Sequence, residues 1–183
     1  CAFYDPTGSE SGAALLQSGA TSITLQAGQC AALRCAVDVA TANSPSAGYG
    51  PRISQSSGSY SAITNTCSSG GFCYMPASCS NLTQGAVTTE RLNSSSTFVA
   101  GGVQIESGGA ISVAINSGQG TEFLTCGCID AAATDSTTYD FRYYRAGAEL
   151  DAYTVTPRIT VSNASPTSGT RGGIIIIGGI VFK

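Results

Sequence analysis

The stretch from Arg171 to Lys183 (RGGIIIIGGIVFK) places the tightest constraint on what this chain can fold into. Ile174, Ile175, Ile176 and Ile177 are followed, past two glycines, by Ile180, Val181 and Phe182. β-Branched side chains suit a pleated backbone, and the glycine pairs at 172–173 and 178–179 work against a helix, so the run predicts a strand. Successive strand residues point to opposite faces, which makes this ribbon apolar on both and requires cover on both. At about ten apolar or glycine residues, against the roughly 20 of a membrane-crossing helix, it does not predict a span. Burying seven such side chains is worth roughly 10–20 kcal/mol, against about 1–2 kcal/mol of backbone ordering per residue. The gain is therefore realised only in a groove that already exists.

That groove can belong to the same molecule or to a neighbour. Residues 162–173 (SNASPTSGTRGG) are rich in Ser, Thr, Gly and Pro without apolar periodicity, and read as a linker. Fully extended they reach about 40 Å, farther than the radius of a domain this size. Closure of the chain's own sandwich and donation of the strand to an adjacent subunit are both open to such a tail.

Eight cysteines and no histidine point to disulfides in an oxidising compartment rather than to a metal site. The spacings of Cys30 and Cys35, of Cys67, Cys73 and Cys79, and of Cys126 and Cys128 match no zinc knuckle, and Cys1 completes the set. Opening on Cys1, the chain reads as a mature form after leader cleavage, with that cysteine in an ordinary internal bridge. Cys30 and Cys35 fall on opposite faces of one strand and should take different partners. Cys126 and Cys128 are too close in sequence to bridge each other easily, and should tie two different loops to the sheet. Sequons at Asn81, Asn93 and Asn163 predict glycans on surface loops.

Only 10% of the residues are charged, against about 25% in ordinary soluble domains. A net charge of −3 and a single lysine, Lys183, leave no basic footprint for nucleic acid or an anionic membrane. Without histidine there is no Ser-His-Asp or Cys-His arrangement, and no phosphate-cradling glycine motif precedes a helix. Asp140 with Glu149 or Asp151 forms the one carboxylate grouping that suits a glycoside hydrolase or a calcium ion, and neither chemistry has further support. No catalytic residue, metal or cofactor is expected.

The remaining pattern is β. Thr21 to Leu25 and Ala31 to Ala40 read as strands, whereas residues 41–81 read as a long irregular region stapled by Cys67, Cys73 and Cys79. From Thr97, four short alternating runs separated by glycines predict a hairpin meander ending near Thr125. Tyr139 to Arg145 should bury Tyr139, Phe141 and Tyr143 and wet Asp140, Arg142 and Tyr144, while Pro157 should put the following strand at an edge or bulge.

The sequence thus predicts an all-β, disulfide-stapled antiparallel β-sandwich, Ig-like or jelly-roll-like, with long loops. Residues 1–20 would be an arm or edge strand, 21–161 the sandwich with its stapled region at 41–81, 162–173 the linker and 174–183 the apolar strand. The function this predicts is that of a structural subunit of an extracellular filament or surface appendage. Its partners would be other copies of itself, joined through Ile174 to Ile177, Ile180, Val181 and Phe182, and covalent glycans. The alternative is a monomeric secreted carbohydrate-binding or adhesion module that uses tyrosines of the 49–74 loops, Tyr49, Tyr60 and Tyr74, or of the 139–153 region.

Overall fold

The computed structural model describes residues 1–16, 21–41, 43–92, 96–150 and 155–163. The apolar strand expected at 174–183, with its interface residues, lies outside them, as do Asn93 and Asp151. Apart from a 3-10 turn at Pro76–Cys79, the regular structure described is β. In chain order the strands are β1 (Ala2–Tyr4), β2 (Ser22–Leu25), β3 (Cys30–Val39), β4 (Ser44–Gln55), β5 (Ser61–Ala62), β6 (Phe72–Cys73) and β7 (Thr97–Phe98). They continue as β8 (Val103–Gln104), β9 (Ile111–Ile115), β10 (Gln119–Ile129), β11 (Thr138–Arg145), β12 (Ala148–Glu149) and β13 (Arg158–Val161).

Two sheets pack as a sandwich. The first runs β1-β3-β10-β6, with β7 and β8 also lying on the flank of β10 away from β3. The second runs β2-β13-β11-β4, with β5 and β9 both on the far side of β4, and β12 beside β11. Both sheets are mixed rather than purely antiparallel: β7 and β8 run parallel to β10, and β2 runs parallel to β13.

Three expectations change. The meander does not form, because β9 pairs with β4 in the second sheet while β10 pairs with β3 in the first, so the turn at 116–118 carries the chain between layers. Residues 41–81 are not a single irregular region, since β4 fills twelve of them. Its core-facing residues Tyr49, Pro51 and Ile53 do alternate, but the Pro, Gly and Ser around them mask the period. Finally, β13 is interior, between β2 and β11. Pro157 precedes it and uses only its carbonyl, which accepts the Phe141 N–H at 3.0 Å, so the missing proline donor costs nothing.

The core between the sheets is aromatic. Phe3, Phe72 and Phe123 of the first sheet meet Tyr49, Tyr139, Phe141 and Tyr143 of the second, with stacked pairs at 4.9 Å (Tyr49–Phe123) and 5.6 Å (Phe123–Tyr143). Ring packing of this kind adds about 0.5–1.5 kcal/mol per pair beyond area burial. Buried phenols keep partners: Tyr143 shares a hydrogen bond with Thr125 at 2.6 Å, and Tyr139 donates to the Gly70 carbonyl. On the outer face of β11 Arg142 and Tyr144 are half-exposed, whereas Asp140, expected to be wet, is 7% exposed because Arg158 of the neighbouring β13 pairs with it.

Burial, with a smaller contribution from the Asp130 charge, pushes the Tyr139 phenol from near 10 up to about 12. The folded chain holds that proton more tightly than the unfolded chain, so the stability it contributes is complete below about pH 10 and lost as pH rises through about 12. Tyr139→Phe is expected to flatten the decline of unfolding free energy over that window; an unchanged decline in alkaline denaturant titrations would refute this.

The first sheet is also covered on its outer face. Ala32, Leu124 and Cys126 pack there against Val103, Ile105, Leu82 and Ala13, which explains why β10 is buried almost throughout. Disulfides fasten the first sheet and its loops: Cys1–Cys35 joins the residue before β1 to β3, Cys30–Cys128 joins β3 to β10, Cys79–Cys126 ties the 3-10 turn to β10, and Cys67–Cys73 closes a short loop. Cys30 and Cys35 do take different partners. Of the pair on β10, Cys126 reaches a loop, whereas Cys128 bonds the adjacent strand.

Candidate functional site

The polar residues that strand alternation turns outward on the second sheet form a ladder across its outer face. Asp140 on β11 accepts from Nε and Nη2 of Arg158 on β13 at 2.6 and 2.9 Å, a two-pronged pair. Two residues along, Arg142 donates to Glu149 on β12 at 2.5 Å and lies over the Tyr60 ring at 4.8 Å. Tyr144 follows, donating to Glu149 at 3.2 Å with the Arg52 guanidinium 4.4 Å over its ring. Partial burial raises the Tyr60 and Tyr144 phenols above their ordinary value.

Beside this ladder the sheet is interrupted. Ser56 N–H bonds to the Thr138 carbonyl and Ala146 N–H to the Gly48 carbonyl, so even-numbered residues of β4 face β11 and odd-numbered ones face the other edge. Along that other edge Tyr49 sits opposite Ile111 of β9 and Ile53 opposite Ser61 of β5. Between them Pro51 has no strand opposite it. A proline at this one interior position removes no ladder bond, because its absent N–H would point into the break. The break opens into a cleft of about 430 Å³ lined by Gly50, Pro51, Ile63, Tyr74 and Gln104, with Arg52 and Tyr144 from the ladder at its rim.

The residues singled out from sequence are dispersed by the fold. Tyr49 is a core side chain bonded to Ser44, and Tyr74 is equally buried, so neither is the exposed loop aromatic expected of a sugar platform. Tyr60 stays half-exposed under Arg142. Asp140 and Glu149 share one face, but each carboxylate is engaged by its own arginine. Among the described residues no group of three or more His, Cys, Asp or Glu is arranged to hold a metal ion. No helix among them is long and apolar enough to cross a membrane. Asn81 is exposed with its amide donating to the Thr7 carbonyl, while Asn163 donates to Ala133 at 2.7 Å and accepts from Ala27 at 3.1 Å.

A buried ionic hub went unread in the sequence. Arg34, 0% exposed, donates to Glu122 at 2.8 Å, to the Thr89 carbonyl at 2.7 Å and to the Glu10 side chain at 2.5 Å. Glu122 also accepts the N–H groups of Arg91 and Leu92 at 2.9 and 2.7 Å. One charge of each sign set among apolar residues in AALRCAV and TEFLT was the available signal: register puts Arg34 opposite Leu124, diagonal to Glu122. The hub clamps the N-terminal arm and the 88–92 loop onto the first sheet, away from the cleft.

Compared with protein-family models, curated proteins and solved structures, the chain matches none.

Proposed function

We propose that this protein is a secreted, non-enzymatic subunit of an extracellular filament or surface assembly, which polymerises when the apolar strand Ile174 to Phe182 of one copy adds to the sandwich of the next. The observation that carries the reading is an open sheet edge where the chain leaves the domain. Arg158 N–H bonds to the Thr21 carbonyl and Ser162 N–H to the Leu25 carbonyl, so odd-numbered residues of β2 face β13. Ser22 and Thr24 therefore turn their main-chain groups outward, and no described residue pairs with them. At the end of this edge Asn163 pins the departing chain to Ala27.

Three further facts support the reading. Residues up to Val161 supply two sheets and a packed core, so seven large apolar side chains remain beyond what a sandwich requires. The edge of β1 is occupied by the segment at 14–16, through Asp5 to Ala14 and Leu16 to Phe3 bonds, whereas that of β2 is open where the chain leaves the domain. Four disulfides suit an oxidising, extracellular setting, where strands joined in this way persist and where Asn81 would carry a glycan. In Ig-like or jelly-roll-like terms the donated strand extends the second sheet past β2, its inner face continuing the row of Ile23 and Leu25.

The test is truncation after Asn163. The shortened chain is expected to stay monomeric in sedimentation and to bind a peptide of residues 174–183, while the full chain forms fibres visible by electron microscopy. Normal polymerisation of the truncated chain would exclude the proposal.

A further inference from the structure

We propose that the cleft at the break in the second sheet binds a saccharide ring, independently of how the chain assembles. The cleft measures about 430 Å³, within the 300–1,000 Å³ usual for small-molecule sites. What lines it restricts the ligand. Pro51 directs a carbonyl into the break with no N–H beside it, so an added β-strand would find an acceptor but no donor, and a peptide is refused. A ligand rich in hydroxyl donors suits that carbonyl.

Gln104 supplies the complementary group. Its side chain is almost wholly buried, and its amide oxygen lies 3.5 Å from where a Cβ on Gly50 would stand. The amide both donates and accepts, as a hydroxyl pair on a sugar requires. Gly50, lacking a side chain, leaves the approach clear. Apolar cover comes from Ile63 and Tyr74, and the Tyr144 ring at the rim presents an aromatic edge with a hydroxyl held by Glu149. No carboxylate lines the cleft and Arg52 stands at its mouth, which disfavours a cationic ligand. Alternating C–H faces and hydroxyls are what a pyranose ring offers to such a mixed lining.

The probe is an immobilised panel of neutral hexose, hexosamine and uronic-acid oligosaccharides, followed by titration of the best binder into the full chain. The Gln104 side-chain amide is observed by NMR during the titration. Binding is expected to shift that amide, and Gln104→Leu and Gly50→Val are each expected to weaken it by about tenfold or more. Tyr144→Ala, at the exposed rim, weakens it as well, and Asp38→Asn, at the exposed end of β3, leaves it unchanged. Thermal melting monitors folding, and if Gly50→Val does not fold, Gln104→Leu and Tyr144→Ala decide. Absence of millimolar binding across the panel would overturn the proposal, as would binding that folded cleft variants leave intact. Neither result bears on polymerisation, which the truncation after Asn163 tests separately.

Discussion

Glu122→Gln is expected to lower the free energy of unfolding by about 3–5 kcal/mol, the usual cost of removing one partner from a buried ion pair. The substitution keeps the shape of the side chain, and its remaining oxygen can still accept from Arg91 and Leu92. What it removes is the negative charge beside Arg34, a guanidinium with no solvent exposure. Glu10 is the other carboxylate on Arg34, and it sits in the N-terminal arm, so the arm and the 88–92 loop should also exchange amide hydrogens faster. Denaturant unfolding with hydrogen exchange reads both effects. A loss under about 1 kcal/mol would mean that the hub's charges are balanced elsewhere. Arg34→Met combined with Glu122→Leu should recover only part of the loss, because the N–H groups of Arg91 and Leu92 then lack their acceptor and the carboxylate of Glu10, still bonded to Thr89, lacks its cation.

Breaking the Cys30–Cys128 bridge is the second large effect. Its half-cystines are 98 residues apart, but with Cys79–Cys126 intact the free loop it closes is about half that length. Loop-closure entropy then gives about 4 kcal/mol for Cys30→Ala with Cys128→Ala. The same double substitution at Cys67 and Cys73, separated by only six residues, should cost about 2 kcal/mol. The ordering is the informative result, since Cys30 and Cys128 already face each other across the β3–β10 ladder and their strands remain paired without the bond. Equal losses in chemical denaturation would show that strain or residual structure, rather than chain entropy, sets the contribution of each bridge.

Reading from sequence succeeded where a single strand carries its own evidence. Tyr139, Phe141 and Tyr143 all face the core as their alternation implies, though Asp140 between them is also covered, and Cys35, Val37 and Val39 share the inner face of β3. It failed where the decisive partner is distant. The glycine-bounded runs after Thr97 look like consecutive hairpins, yet Ile111 to Ile115 and Gln119 to Ile129 belong to different sheets. Pro51 fits inside β4 only because no strand faces it in the break between β5 and β9, where no donor is required. The cleft itself was illegible, because Gly50, Gln104, Tyr74 and Tyr144 come from four separate segments.

What the residues determined unaided is a β chain with two-faced and one-faced strands, enough cysteines to staple it, and no histidine for catalysis or metal binding. Those properties depend on side-chain identity and on a period of two, both local. Only the tertiary structure decided which sheet each strand joins, that Arg34 and Glu122 meet in a dry layer, and that a gap faces Pro51. Each of these requires bringing together residues tens of positions apart, and the free energy that selects one pairing over another resides in burial and charge compensation that exist only once the layers have closed.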